Sequence, residues 1–133
     1  METPSRQRAA VILAAGKGTR MKSDLPKVMH KVAGRPMVDW STALARQVGC
    51  ERIVVIAHPS QQVLIDHVGP QLGEQSIAFQ DPPMGTGHAV RCAEDALAGF
   101  DGDLVVLYGD SPLVPATAIE SLFDSLANNA AIG

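Results

Sequence analysis

Short, unbroken apolar runs separated by segments of helical period constrain this chain more than any other feature. Residues 9–13, 52–57, 76–79 and 103–108 are too continuous for strands with one wet face. They predict strands covered on both sides, as in a parallel sheet. The intervening segments supply the covers. Met37, Trp40, Leu44 and Val48 fall on one helical face, with Gly49 placed to stop the helix in a left-handed conformation. Val63, Leu64 and Val68 follow Ser60, and Ala89, Ala93, Ala96 and Leu97 precede Gly99, each as a shorter amphipathic stretch. Pro115 suits a first helical turn, and Ile119, Leu122, Phe123 and Leu126 make the stripe of a core-facing helix. The alternation predicts an α/β fold, a doubly wound and mostly parallel Rossmann-like sheet. In such sheets ligands bind at the carboxyl ends of the strands.

The length, 133 residues, is that of one domain with a core of its own. Apolar residues make up 46% but aromatics only 4%, so that core is expected to be aliphatic. A net charge of −3 gives no overall attraction for nucleic acid or an anionic membrane, and any positive field is local. Residues 17–36 hold six of the eleven Lys and Arg residues. Cys50 and Cys92 lack metal spacing and are too few for a disulfide framework, so they are expected to be buried thiols in a reducing cytoplasm. The polar lead from Glu2 to Arg8 has no signal-peptide core, and no apolar run approaches membrane-spanning length. A cytoplasmic, unanchored protein is the expectation.

Three unusual segments each follow a predicted strand: 14–27, 80–88 and 109–113. The first holds Gly16 and Gly18 with Lys17, Arg20 and Lys27. Glycines let backbone N–H groups close on phosphate oxygens, and three cations can balance a triphosphate. A Walker loop would need glycine at Val11 and Ser or Thr at Gly18, and a dinucleotide fingerprint would need glycine at Met21. Neither pattern is met. An ordinary strand-to-helix turn with solvated charges would explain a bare Gly-x-Gly equally well.

Gln80 opens the second segment, which ends in Gly85, Thr86, Gly87 and His88. A glutamine amide offers a donor and an acceptor, matching the imide edge of uracil, while the glycines admit a base to the backbone. The competing account is a helix start capped by Thr86. His88 has no nucleophile or carboxylate near it in sequence and reads as a hydrogen-bonded structural histidine. In the third segment Asp110 follows a strand and Gly109, where its carboxylate would project at the ligand edge. Magnesium commonly binds through one or two carboxylates plus substrate phosphates, although Asp-Ser-Pro also caps turns. His30, His58 and His67 are too scattered to form a metal set.

These segments, taken as motifs, resemble a known family. Residues 13–21 with Leu25, Pro26, Lys27 and Val28, then residues 85–89, then residues 107–110 with Pro112 and Leu113, resemble the bacterial bifunctional N-acetylglucosamine-1-phosphate uridylyltransferases. The first motif is common to many sugar-phosphate nucleotidyltransferases, and residues 80 and 85–89 narrow it. The resemblance implies a glycosyltransferase-A-like nucleotidyltransferase domain that needs Mg²⁺. Its reaction transfers UMP from UTP to N-acetylglucosamine-1-phosphate, giving UDP-N-acetylglucosamine, a precursor of peptidoglycan and lipopolysaccharide, and pyrophosphate. By position, Leu13, Ala14, Ala15 and Gly16 would line the uridine and phosphate site, and Gly16, Lys17, Gly18 and Arg20 would wrap the triphosphate. Arg20 and Lys27 would be the catalytic cations. Gln80, Gly85 and Thr86 would hold the uracil and nucleoside, Tyr108 and Gly109 would line the pocket, and Asp110 would bind the metal.

The resemblance also sets an expectation about extent. Residues 1–133 would be the N-terminal portion of the domain, incomplete at its C-terminus, with sugar contacts and a metal-binding asparagine lying further on. The acetyltransferase β-helix that makes the resembled enzymes homotrimeric would lie outside these residues. Ser111 stands where an apolar residue is expected, without removing a ligand. Two alternatives stay open: a nucleotidyltransferase for another base or acceptor, and a non-catalytic nucleotide-binding module.

Overall fold

The four apolar runs assemble side by side into one sheet. In a computed structural model the chain is described over residues 7–15, 27–80, 86–111 and 114–127. Strand β1 (Gln7–Leu13) is followed by a 3-10 turn (Lys27–Met29) and a small hairpin of β2 (Lys31–Val32) and β3 (Arg35–Pro36). Then come α1 (Met37–Gln47), β4 (Arg52–Ala57), α2 (Gln62–Leu72), β5 (Ile77–Phe79), α3 (Thr86–Cys92), β6 (Gly102–Tyr108) and α4 (Ala116–Ala127). The sheet order is β5-β4-β1-β6, and all three pairings are parallel. From β1 the chain steps outward through β4 to β5, then returns to place β6 on the other side of β1. The order therefore reverses between β1 and β6, the switch point where open sheets of this kind have their ligand crevice, outside the strands' carboxyl ends.

Both faces of the sheet are covered, as unbroken apolar strands require. Ala10, Ile12, Ile53, Val55 and Ala57 face one cluster with residues of α1, α2 and α4, among them Val38, Leu64, Ile119 and Phe123. Val11, Val54 and Ile56 face the other with Ala89 and Ala93, while Ala96 and Leu97 pack at its border. The alternation along β1 and β4 is the two-residue period of a strand. The single large aromatic in the first cluster, Phe123, also carries the Arg8 guanidinium 4.4 Å from its ring centroid. Arg8 donates to Val48 O at 2.8 Å and pairs with Glu120 at 2.6 Å, joining the start of β1 to α4.

Several details differ from the sequence expectation. Helix α1 buries Val38, Ser41, Thr42, Leu44 and Ala45, so its inner face is rotated away from Met37 and Trp40. Small side chains at 41, 42 and 45 let the helix lie close to the sheet. Trp40, whose indole N–H needs a partner, donates to Val32 O at 2.8 Å and stacks with Arg35. Val63 and Leu122 are exposed, leaving Leu64, Val68, Ile119 and Phe123 as the inward residues. The hairpin β2–β3 was not anticipated at all. Gly49 does end α1, at φ +81. Cys50 and Cys92 are free and half-buried rather than fully buried. Among the described residues no helix is long and apolar enough to cross a membrane.

Candidate functional site

Two strand ends define the crevice. The backbone of Ala14 extends the β1–β4 pairing by donating to Ile56 O at 2.9 Å. On the other side Gly109 N donates to Leu13 O at 2.9 Å, closing β6 onto the end of β1. The approach is tight enough to favour glycine: a Cβ on residue 109 would lie 3.0 Å from Leu13 O and 3.0 Å from Val28 Cγ1. Ala14 and Ala15 are buried, and Val28 packs beneath the 3-10 turn.

That packing sets the charged pair at the mouth. Lys27 Nζ stands 3.4 Å from Asp110 Oδ2, with side chains 37% and 41% exposed. A cation and a carboxylate thus meet beside the switch point, both reachable by a ligand. Tyr108 is exposed above them, while its carbonyl accepts from Ser41 Oγ at 3.3 Å and from Ser111 N at 3.1 Å. Asp110 offers hard carboxylate oxygens of the kind Mg²⁺ takes. No cluster of three or more His, Cys, Asp or Glu occurs among the described residues. The donor set therefore fits a metal held by one carboxylate together with substrate phosphates, and not a closed protein cage.

Gln80 stands at the other side of the sheet. Its N–H donates to Ala57 O at 2.9 Å, continuing the β4–β5 ladder by one residue, and its side chain is buried. The amide nitrogen lies 3.0 Å from His88 Nδ1, and His88 Nε2 lies 3.8 Å from Cys92 Sγ. With β5 and β6 at opposite edges, Gln80 and Asp110 are three strand steps apart, roughly 14 Å at strand spacing. A ligand touching both must lie across the strand ends.

Of the residues expected from sequence, Leu13, Ala14, Ala15, Lys27, Gln80, Tyr108, Gly109 and Asp110 all stand at the carboxyl edge. Gly16, Lys17, Gly18, Arg20 and Gly85 lie outside the described residues, and Thr86 is the first residue of α3. Leu13 meets Gly109 and Lys27 meets Asp110; Gln80 meets neither pair. One residue was missed. Gln61 donates from Nε2 to Ala14 O at 2.9 Å and accepts from His58 N at 2.6 Å, tying the loop after β1 to the loop after β4. The available signal was its position: β4 is a central strand, and 58–61 is its carboxyl-end loop. A pocket lined by Arg46, Cys50, Arg52, Gln71 and Gln75 lies at the opposite, amino end of β4. It has no part in this arrangement.

Known proteins share the sequence and the fold of this chain. Residues 10–132 match the MobA-like NTP transferase domain. The chain is 69% identical over 133 residues to the bifunctional protein GlmU of Hyphomonas neptunium, covering 100% of this chain and 29% of that protein. Its identity to the bifunctional protein GlmU of Caulobacter vibrioides is 50% over 125 residues, 94% of this chain and 27% of that one. The chain thus spans less than a third of the length of these relatives. Among solved structures, the inositol-1-phosphate CTP transferase from T. maritima superposes with a TM-score of 0.71 at 26% identity, covering 90% of this chain and 49% of its own.

Proposed function

This chain belongs to the MobA-like NTP transferase domain family, and on that premise we propose that it carries the nucleotide-binding half of a uridylyltransferase. The reaction is transfer of UMP from UTP to N-acetylglucosamine-1-phosphate, in the cytoplasm, with release of pyrophosphate. The observation that carries this reading is the approach of Lys27 to Asp110 at the β1–β6 switch point. Likeness to the two GlmU proteins supports a sugar-phosphate nucleotidyltransferase, and the choice of uridine and of N-acetylglucosamine-1-phosphate rests on the motif resemblance at residues 80 and 85–89.

The chemistry asks little activation of the protein. A phosphate-monoester nucleophile is already ionised near neutral pH, so no general base is needed. The obstacle is repulsion between anions. Lys27, and Arg20 before it in sequence, would stabilise charge on the α-phosphate and on the departing pyrophosphate. Asp110 would hold Mg²⁺, which when bound supplies a divalent charge to the phosphates. Gln80 would accept from and donate to the uracil imide edge, Gly85 and Thr86 would hold the nucleoside, and Leu13, Ala14, Ala15 and Gly16 would line its path. Lys17 and Gly18 would wrap the triphosphate, with Tyr108 and Gly109 forming the far wall.

The test is pyrophosphate release from UTP and N-acetylglucosamine-1-phosphate with Mg²⁺, in the protein that contains this chain. Arg20→Ala or Lys27→Ala should lower turnover by about 10²-fold or more with the fold intact. Asp110→Asn should raise the Mg²⁺ concentration needed for half-maximal turnover. Near-normal turnover in a folded Arg20→Ala/Lys27→Ala double variant would sink the assignment. The likeness to a CTP transferase favours one second reading, a cytidylyltransferase, for which CTP would outcompete UTP.

A further inference from the structure

The carbonyl of Tyr108 uses both of its lone pairs. It accepts from Ser111 N at 3.1 Å, closing a four-residue turn in which Asp110 is third, and from Ser41 Oγ at 3.3 Å, reaching across from α1. The same peptide unit is held at its other end, where Gly109 N donates to Leu13 O at 2.9 Å. A planar peptide pinned at both ends fixes the base of the turn. Only the dihedrals of Gly109, the least restrained residue type, separate that plane from the peptide leading into Asp110. Ser41 is buried, and a serine inside a helix ordinarily returns its hydroxyl to a carbonyl one turn back. Its neighbour Thr42 does so, donating to Asp39 O at 3.1 Å. Ser41 donates to the end of β6 instead. The start of α1 also holds the other charge: Met37 N donates to His30 O at 2.9 Å, and His30 N donates to Lys27 O at 3.0 Å. Residues 37 and 41 are about one turn apart, so one short length of helix is tied to both Lys27 and Asp110.

We propose that Ser41 is a positioning residue, holding the turn that carries Asp110 in place against Lys27 and so tuning how well the Asp110 carboxylate takes a divalent cation together with the nucleotide. The inference rests on Asp110 being the metal-binding residue of the proposed function. Groups behind a metal-binding side chain orient it, and their loss weakens the metal. A turn released from α1 samples more arrangements, and the cation must then order it on binding. Ser41, being buried, acts through the Tyr108 carbonyl. At 3.3 Å its bond is longer than the roughly 2.8 Å at which hydroxyl bonds cluster, so the effect is small but specific. Loss of the hydroxyl leaves Tyr108 O paired with Ser111 N, which spares the fold the cost of an unpaired carbonyl.

The experiment uses the protein that contains this chain and measures the dissociation constant of UTP by titration calorimetry, once with Mg²⁺ and once with a chelator. The gain in affinity between the two isolates the contribution of the metal. Ser41→Ala should lower that gain by about threefold, while the affinity in chelator stays as it was. A merely structural serine would weaken UTP equally in both conditions, and an unchanged gain overturns the proposal. Thr42→Val is the control, because it removes a hydroxyl from the same buried face of α1 whose bond lies within the helix. It should leave the gain alone, and a fall equal to that of Ser41→Ala would overturn the role of the Tyr108 bond. Asp110→Asn separates this inference from the function beneath it. If Asp110→Asn removes the gain and Ser41→Ala does not move it, Asp110 keeps the metal and Ser41 alone is overturned. If Asp110→Asn leaves the gain intact, or Mg²⁺ gives the unchanged protein none, the metal reading of Asp110 falls and this inference with it. Should Ser41→Ala fail to fold by circular dichroism, Ser41→Cys, close in bulk and a weaker donor, takes its place under the same readings.

Discussion

Lys27 and Asp110 meet at 3.4 Å with both side chains partly in water, and such exposed pairs contribute less than about 1 kcal/mol to stability. Their value is positional. Both motifs that contain them were legible as sequence patterns, although each alone also had a structural account, whereas their mutual contact depends on the switch in strand order. Cys50 shows the opposite case, a residue whose chemistry comes only from its surroundings. Burial pushes its thiol up to about 11, with Arg8 opposing the shift and Glu120 adding to it. In the unfolded chain the thiol returns to the ordinary value of 9.0. The folded state thus holds this proton more tightly, so its contribution is complete below pH 9.0 and is lost as pH rises through about 11. Thermal midpoints measured across that window should fall with pH, and Cys50→Ala should make the fall shallower. An unchanged slope in the variant would show that the buried thiol contributes nothing to it.

At the scale of elements, the strands were readable and the connections were not. Residues 52–57 announce β4 by six apolar or aliphatic-stemmed residues in a row, but β2 and β3 are two residues each and carry Lys31, Arg35 and Pro36, which no period detects. Their turn is Ala33-Gly34, with both residues at positive φ, +51 and +83. Two-residue hairpins favour that geometry because it matches strand twist, yet alanine tolerates it poorly. Ala33→Asn should therefore stabilise the protein by about 0.5–1 kcal/mol, seen as a higher urea midpoint at unchanged m-value. Gln61 was illegible for another reason: its partners are backbone atoms, Ala14 O and His58 N, which leave no trace in side-chain pattern. It braces the loop that leads from β1 toward residues 16–20. Gln61→Ala should weaken UTP binding by about fivefold, the worth of roughly one hydrogen bond. Gln61→Glu keeps the acceptor for His58 N but loses the donor to Ala14 O, so it should bind as weakly as alanine if the β1 contact is the one that matters.

Across the whole molecule, the parallel sheet and the carboxyl-edge site follow from one pattern, apolar runs alternating with amphipathic helices. The rotation of α1 does not follow, because Ser41, Thr42 and Ala45 look like outer-face residues until the sheet is there to be approached. The same close approach recurs at the crevice, where fold and function share atoms. Leu13 O accepts from Gly109 N and is also 3.0 Å from any Cβ placed on residue 109, as is Val28 Cγ1. Gly109→Ala requires Leu13 O and Val28 Cγ1 to give by a few tenths of an ångström, beside the point where Lys27 and Asp110 face each other. It should cost roughly 1–3 kcal/mol of stability, typical of overpacking, and also weaken UTP binding in the protein that remains folded. Phe123→Ala supplies the contrast. Its side chain is 2% exposed and packs between α4 and the sheet, near Arg8 at the amino end of β1 and away from the carboxyl ends. The cavity should cost about 3–5 kcal/mol, yet the folded fraction should bind UTP as before. Chemical denaturation and calorimetry on the two variants together give the answer. Equal losses of affinity would mean the crevice is no more tightly coupled to the nucleotide than the core is, and a selective loss in Gly109→Ala would locate binding at the β1–β6 switch.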